Sequence, residues 1–162
     1  MQDRHKAAVR ATSADMSEGG ADTDDIMRSF IGYSLKRAYL VVHRVAQGAL
    51  QPFDLKIRSF SALSLIVGRP GITLTELAEV LQVERSNLVL IMDELEQRDL
   101  IARVRDPKDR RRYSLHATIR GRRLLEKASA ATSAEEGRLT ANLTDDELDT
   151  LLKLLRKLET GA

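Results

Sequence analysis

Six of the ten residues from Arg103 to Arg112 are basic. Guanidinium and ammonium groups at that density have one common natural counterpart, the sugar-phosphate backbone of DNA; for an isolated cluster the competing reading is a solvated charge run. The flanking residues favour DNA. Ile101 and Val104 on one side, and Tyr113 and Leu115 on the other, mark two half-buried strands. Asp106-Pro107 supplies turn chemistry between them, because proline fixes φ and aspartate bonds the backbone ahead of it. The expected product is a hairpin whose tip carries Arg105, Lys108, Asp109, Arg110, Arg111 and Arg112.

A second candidate set lies just upstream. Thr73-Leu-Thr-Glu76 is a capping box, in which threonine and glutamate each satisfy an orphan amide at a helix start. The short helix it opens runs to about Leu81, and after Gln82-Val83 another runs from Glu84 or Arg85 to Gln97. Leu77, Leu81, Leu88, Ile91 and Leu95 are spaced to lock the pair together. The second helix then presents Arg85, Ser86 and Asn87 at its N-terminal end, the end that a recognition helix inserts into the major groove. Arginine bonds guanine bidentately, asparagine does the same with adenine, and serine suits either a phosphate or a base edge. Thr73 and Thr75 on the first helix join the expected DNA-facing set.

The rest of the chain must position these residues. Met1 to Ala21 is rich in Ala, Ser, Gly and charge, and reads as a flexible tail. Asp22-Thr-Asp-Asp25 caps a long helix running to about Leu50, on a three- and four-residue repeat that includes Phe30, Ser34, Ala38 and Val45. Gln51-Pro52 ends it. Ile57 to Val67 makes a further helix, closed by Gly68-Arg-Pro-Gly71. Beyond the hairpin, Thr118 opens a helix toward Asn142, and a second capping box, Thr144-Asp-Asp-Glu147, starts the last one with a stripe of leucines from Leu148 to Leu158. The expected organisation is a tail over 1–21, a dimerisation helix over 22–50, a DNA-binding region over 51–117 and C-terminal dimerisation helices over 118–162. The fold class is mainly α with a small β-hairpin wing: a winged helix-turn-helix.

Composition narrows the function classes. With 162 residues, 43% of them apolar, three Phe, three Tyr and no Trp, the core must be built from aliphatic side chains. The net charge is only +2, yet nine bases face two acids between Arg103 and Arg123. Local asymmetry of that kind suits a nucleic-acid face on an otherwise neutral surface. Cysteine is absent, which removes disulfides, thiol chemistry and cysteine-ligated zinc. His5, His43 and His116 have no metal-type spacing, and no phosphate loop or dinucleotide fingerprint is present, so neither an enzyme nor a cofactor is expected. No apolar run approaches a membrane span and the N-terminus lacks a secretory pattern, so a soluble cytoplasmic protein is expected.

Taken together, Leu74 to Leu81, Glu84 to Leu88, Leu95 to Ile101, Arg105-Asp-Pro-Lys-Asp-Arg-Arg111 and Leu115 to Gly121 resemble the MarR family of winged-helix regulators. The resemblance covers about Met27 to Glu159. It implies that Arg111 enters the minor groove while Asp109 orients it, a sensible arrangement where that groove is narrow and most negative. It also implies a homodimer built from the terminal helices, addressing a palindromic duplex, and a pocket for a small aromatic anionic effector. Val89 and Leu90 depart from the polar residues usual in the family's recognition helix, and methyl contact with thymine from Val89 is the expected substitute. Lys36, Arg37, Tyr39 and His43, with Arg58 and Ser61, are the expected effector residues: cations for a carboxylate or for acyl-CoA phosphates, beside an aromatic ring. Ordinary surface cations and a packed histidine are the other reading of those six. A ligand-released repressor is the expected function, with a winged helix that binds protein instead of DNA as the alternative.

Overall fold

The computed structural model describes residues 23–105 and 113–161. The chain divides into two compact units, 1–40 and 41–162.

In the first unit, helix α1 (Thr23–Arg28) is followed at Ser29-Phe30 by a break before α2 (Ile31–Leu50) begins. The single helix expected from residue 22 onward is therefore interrupted. Two serines explain the interruption: the Ser29 hydroxyl donates to the Ile26 carbonyl at 2.7 Å, and the Ser34 hydroxyl donates to the Arg28 carbonyl at 2.9 Å. Hydroxyls that bond nearby carbonyls offer the backbone an alternative to the helical ladder.

The second unit holds the core. After a 3-10 turn at Gln51–Phe53, α3 (Ile57–Gly68) buries Ser59, Ala62, Leu63 and Ile66, one face at helical spacing. Strand β1 (Ile72–Thr73) leads into α4 (Leu74–Leu81), and Gln82 at φ 51° turns the chain toward α5 (Arg85–Gln97). Leu77, Leu88, Met92 and Leu95 are fully buried between these helices and α3, while Leu81 and Ile91 pack at the edge of the same cluster. All five residues expected to lock the helix pair are in that contact set.

Asp99 adopts φ 55° as α5 ends, the left-handed geometry that aspartate tolerates. Strands β2 (Ile101–Arg105) and β3 (Tyr113–Ala117) follow as the two legs of the expected hairpin. The sheet is antiparallel in the order β1-β3-β2, with Ile72 opposite Leu115 and Arg103 also opposite Leu115. Strand alternation corrects one expectation: Ile101 is buried, but Val104, an odd number of residues along, falls on the opposite face and is exposed. Residues 106–112, which hold Lys108, Asp109, Arg110, Arg111 and Arg112, lie outside the described residues, as does the tail over 1–21.

Helix α6 (Ile119–Leu139) starts on Thr118, whose hydroxyl accepts from the Gly121 amide at 2.9 Å and donates to the Asp99 carbonyl at 2.7 Å. The last helix, α7 (Asp145–Thr160), is capped by the predicted Thr144–Glu147 box and buries no residue; Leu151, Leu152, Leu154 and Leu158 are exposed. No helix among the described residues is long and apolar enough to cross a membrane.

Candidate nucleic-acid interface

Two helix N-termini and two strand ends converge on one cleft. At the start of α4, Thr73 Oγ1 accepts from the Glu76 amide at 3.3 Å, while Glu76 Oε2 accepts from the Thr73 amide at 2.9 Å and its hydroxyl at 2.7 Å. Arg69 adds an ion pair to the other carboxylate oxygen at 2.5 Å. The bonds from the Thr73 backbone and side chain, with Arg69 behind them, hold the Glu76 carboxyl below its ordinary pKa. Glu76 is thus ionised and holds both donors of Thr73 within the cap, while Thr75 stands exposed at the positive end of the helix dipole.

The cleft, about 780 Å³, is lined by Thr73 and Thr75 from this turn, Arg85 and Val89 from α5, and Arg103, Arg105 and Tyr113 from the hairpin legs. Thr73, Thr75, Arg85, Val89 and Arg105 were expected to face DNA, and the fold brings these five together. Ser86 is exposed at the first turn of α5. Asn87 is not in the cleft. At 100° per residue it lies about 200° around the helix from Arg85, and it lines a different cavity.

Arg103 and Tyr113 also line the cleft and were not among the residues expected to face DNA. Arg103 donates to the Asp93 carboxylate and lies 3.3 Å from Glu96, so it neutralises two acids on the flank of α5. Arg105 takes a hydrogen bond geometry on Tyr113, its Nε donating to the phenol oxygen at 2.9 Å with the guanidinium 5.6 Å from the ring centre. The signal for Arg103 was strand parity: Ile101, Arg103 and Arg105 alternate onto one face.

The second cavity, about 570 Å³, lies behind α5. Its walls include His43, Lys56, Arg58 and Ser59 on one side and Asn87, Leu90, Ile91 and Glu94 of α5 on the other. Of the six expected effector residues, His43 and Arg58 line it and Ser61 does not. Lys36, Arg37 and Tyr39 fall in the unit 1–40, where their side chains are exposed. Ser59, which was not expected here, is 1% exposed and its hydroxyl has no hydrogen-bond partner among the described residues.

A helix pair with a three-residue turn, a basic hairpin packed beside its second helix and a three-stranded sheet closing the core define a winged helix-turn-helix. The sequence pattern of the MarR family matches residues 55–113. The chain is 32% identical, over 82% of its length and 80% of the relative's, to the protein assigned as transcriptional regulator of the hcr operon in Thauera aromatica. Among solved structures it resembles the transcriptional repressor CouR bound to a 23-mer DNA duplex, at 36% identity and a TM-score of 0.80, over 88% of this chain and 99% of that one. CouR from Rhodococcus jostii RHA1 bound to p-coumaroyl-CoA is similar at 30% identity and a TM-score of 0.71, over 80% and 91% of the two chains. The chain belongs to the MarR family. It is a transcriptional regulator, not an enzyme.

Proposed function

We propose that this regulator is a cytoplasmic homodimeric repressor that binds a palindromic operator and leaves it when an aromatic acid or aromatic acyl-CoA binds. The observation that carries the DNA half is the cleft itself. The Arg85, Arg103 and Arg105 side chains and the amide end of α4 meet on one surface, and two such surfaces related by a two-fold axis suit two half-sites. Arg85 and Ser86 are the base-edge and phosphate contacts of α5, with Thr73 and Thr75 on the backbone. Lys108, Arg110, Arg111 and Arg112 extend the wing, with Asp109 orienting Arg111. CouR, called a repressor and bound to DNA, supports the same assignment by similarity.

The dimer follows from area. Helix α7 leaves four leucines exposed, and apolar patches of that kind mark interaction surfaces. Residues 22–50 and 118–162 are the proposed dimerisation elements, flanking a DNA-binding region over 51–117.

The effector half rests on the cavity behind α5. Its size is that of an ordinary small-molecule site, and it mixes aliphatic walls with His43, Lys56 and Arg58. The Ser59 hydroxyl is the kind of buried, unsatisfied group whose desolvation costs about 1–3 kcal/mol until something bonds it. A ligand carbonyl or phenol does so. Lys36, Arg37 and Tyr39 are retained as candidates for the anionic remainder of a larger ligand. CouR bound to p-coumaroyl-CoA supports the thioester class by similarity.

The test is direct. Duplexes retained from the genomic DNA of the source organism should footprint as inverted repeats about 10 bp apart, and titration with p-coumaroyl-CoA or free aromatic acids should release them. Binding without an inverted repeat removes the dimeric reading, and operator complexes indifferent to both ligand classes remove the effector reading.

A further inference from the structure

Helix α5 has three different sides. Leu88, Met92 and Leu95 face the core with no exposed surface. Arg85, Val89 and Glu96 border the cleft, and Asn87, Leu90, Ile91 and Glu94 border the cavity. Opposite the core lie Ser86, Leu90, Asp93 and Gln97, since a two-residue step turns the helix by about 200°, so Leu90 stands where the cavity rim meets the outer face. Leu90 is 68% exposed there, and among the large apolar side chains of the described residues only Ile119 is more so.

The charged neighbours of Leu90 are already engaged. Asp93 is bonded by Arg103, which also holds Glu96, and Glu94 lies 3.8 Å from Arg98. The acids in the second half of α5 are therefore drawn toward the strand and the helix end, and no acid stands in the first two turns from Arg85 to Leu90. What the outer face offers a groove is one serine and one leucine, with Arg85 beside them.

A lone exposed leucine is ordinary on a protein surface. On the groove-facing side of a recognition helix it is selective, because thymine is the one base that presents an apolar group, its C5 methyl, in the major groove. We infer that Leu90, rather than Val89, packs against a thymine methyl in each half-site and makes that thymine a required base. Val89 is half-buried in the wall of the cleft, whereas Leu90, at the rim of the cavity, is largely exposed. The inference rests on the proposed entry of α5 into the major groove, and it specifies an apolar readout in place of the polar contact usual at this position.

Uracil is thymine without the methyl, so replacing one by the other tests the contact while leaving every hydrogen bond in place. The full chain is first used to select a duplex from a randomised library, and each thymine of the selected half-sites is then replaced by deoxyuridine. For wild type, one position per half-site should lose about fourfold in affinity, the equivalent of one methyl returned to water. Leu90→Ala should bind the thymine duplex as weakly as wild type binds the uracil one, and should not distinguish the two. Leu90→Met should keep the discrimination, which separates a lost contact from a damaged helix. If uracil is tolerated at every position, or if Leu90→Ala still discriminates, Leu90 does not read thymine. A Leu90→Ala variant altered only in its response to p-coumaroyl-CoA overturns the readout and leaves Leu90 as a wall of the cavity alone. Failure to enrich any duplex overturns the DNA-binding proposal together with this one.

Discussion

Gly121 is the position at which a single methyl group should do the most damage. A Cβ built on Gly121 lies 2.0 Å from the Leu100 carbonyl oxygen and 2.9 Å from its carbon. That is well inside the ~3.3 Å at which carbon and a carbonyl oxygen ordinarily meet. Both partners are backbone, so no rotamer change relieves the overlap. The first turn of α6 must retreat from the end of α5, stretching the Thr118 amide bond to the Leu100 carbonyl, now 3.1 Å, and the Thr118 hydroxyl bond to Asp99. Overpacking of this kind costs about 1–3 kcal/mol, and two weakened hydrogen bonds add about 1 kcal/mol each. Alanine returns about 1 kcal/mol through its better helix propensity. The net for Gly121→Ala is a loss of about 2–4 kcal/mol, a fall in Tm of roughly 5–15 °C for a chain of this size. Gly137 is the control, because it lies in the same helix with nothing within 4 Å of its added Cβ. Gly137→Ala should therefore be neutral or stabilising by up to about 1 kcal/mol. Circular dichroism melts at one matched protein concentration compare the two, since association shifts Tm by mass action. The steric argument fails if Gly121→Ala melts with wild type, or if the two variants shift together.

Glu76→Gln should lose stability at neutral pH and converge on wild type in acid. The Glu76 carboxyl is held below its ordinary pKa, so its ionised contribution is complete above about 4.5 and vanishes as pH falls through the lowered value; urea titrations across that range read the gap. Glu147 is lowered by the same bonds from Thr144, so Glu147→Gln should repeat the pattern. Arg103→Ala should weaken every DNA sequence alike, because it uncovers Asp93 and Glu96 beside the cleft. Loss of one positive charge at about 10 Å in a water-like medium is worth ~0.4 kcal/mol, or roughly twofold per subunit at low salt; adding Asp93→Asn should recover it, and a sequence-selective loss would show that Arg103 reads bases. Leu152→Glu with Leu158→Glu should yield a monomer by light scattering, with operator affinity lost even though each chain melts cooperatively; an unchanged dimer would move the interface away from α7.

What the sequence disclosed, and what it hid, divides by range. Features carried by local spacing were legible: both capping boxes and the apolar positions that lock α4 to α5. Strand β1 was not, because two residues carry no periodicity and exist as a strand only through pairing with Leu115 and Ser114 some forty positions away. The break at Ser29 was hidden by an apolar repeat that continues across it, while the serine bonds that cause it are invisible to periodicity. Arg103 was counted as part of a charge run, and its purpose depends on Asp93, ten residues earlier on another element. The separation of Asn87 from Arg85 was available all along. Two neighbours on a helix share a sequence motif without sharing a face, so Arg85 borders the cleft and Asn87 the cavity.

That separation bears on how binding events would communicate. The cleft and the cavity share no lining residue, yet α5 walls both, and the stripe of Leu88, Met92 and Leu95 between them is fully packed. A close-packed stripe does not compress, so a ligand that prefers a slightly rotated or shifted α5 displaces the Arg85 side of the helix with it. The ligand acts only through that preference: equal affinity for both placements would release no DNA, however tightly it bound. A coupling of about 1–3 kcal/mol, or 5- to 150-fold in affinity, is the ordinary range. Here it need not travel along a chain of intermediates, because the distance between the two surfaces is the thickness of one helix.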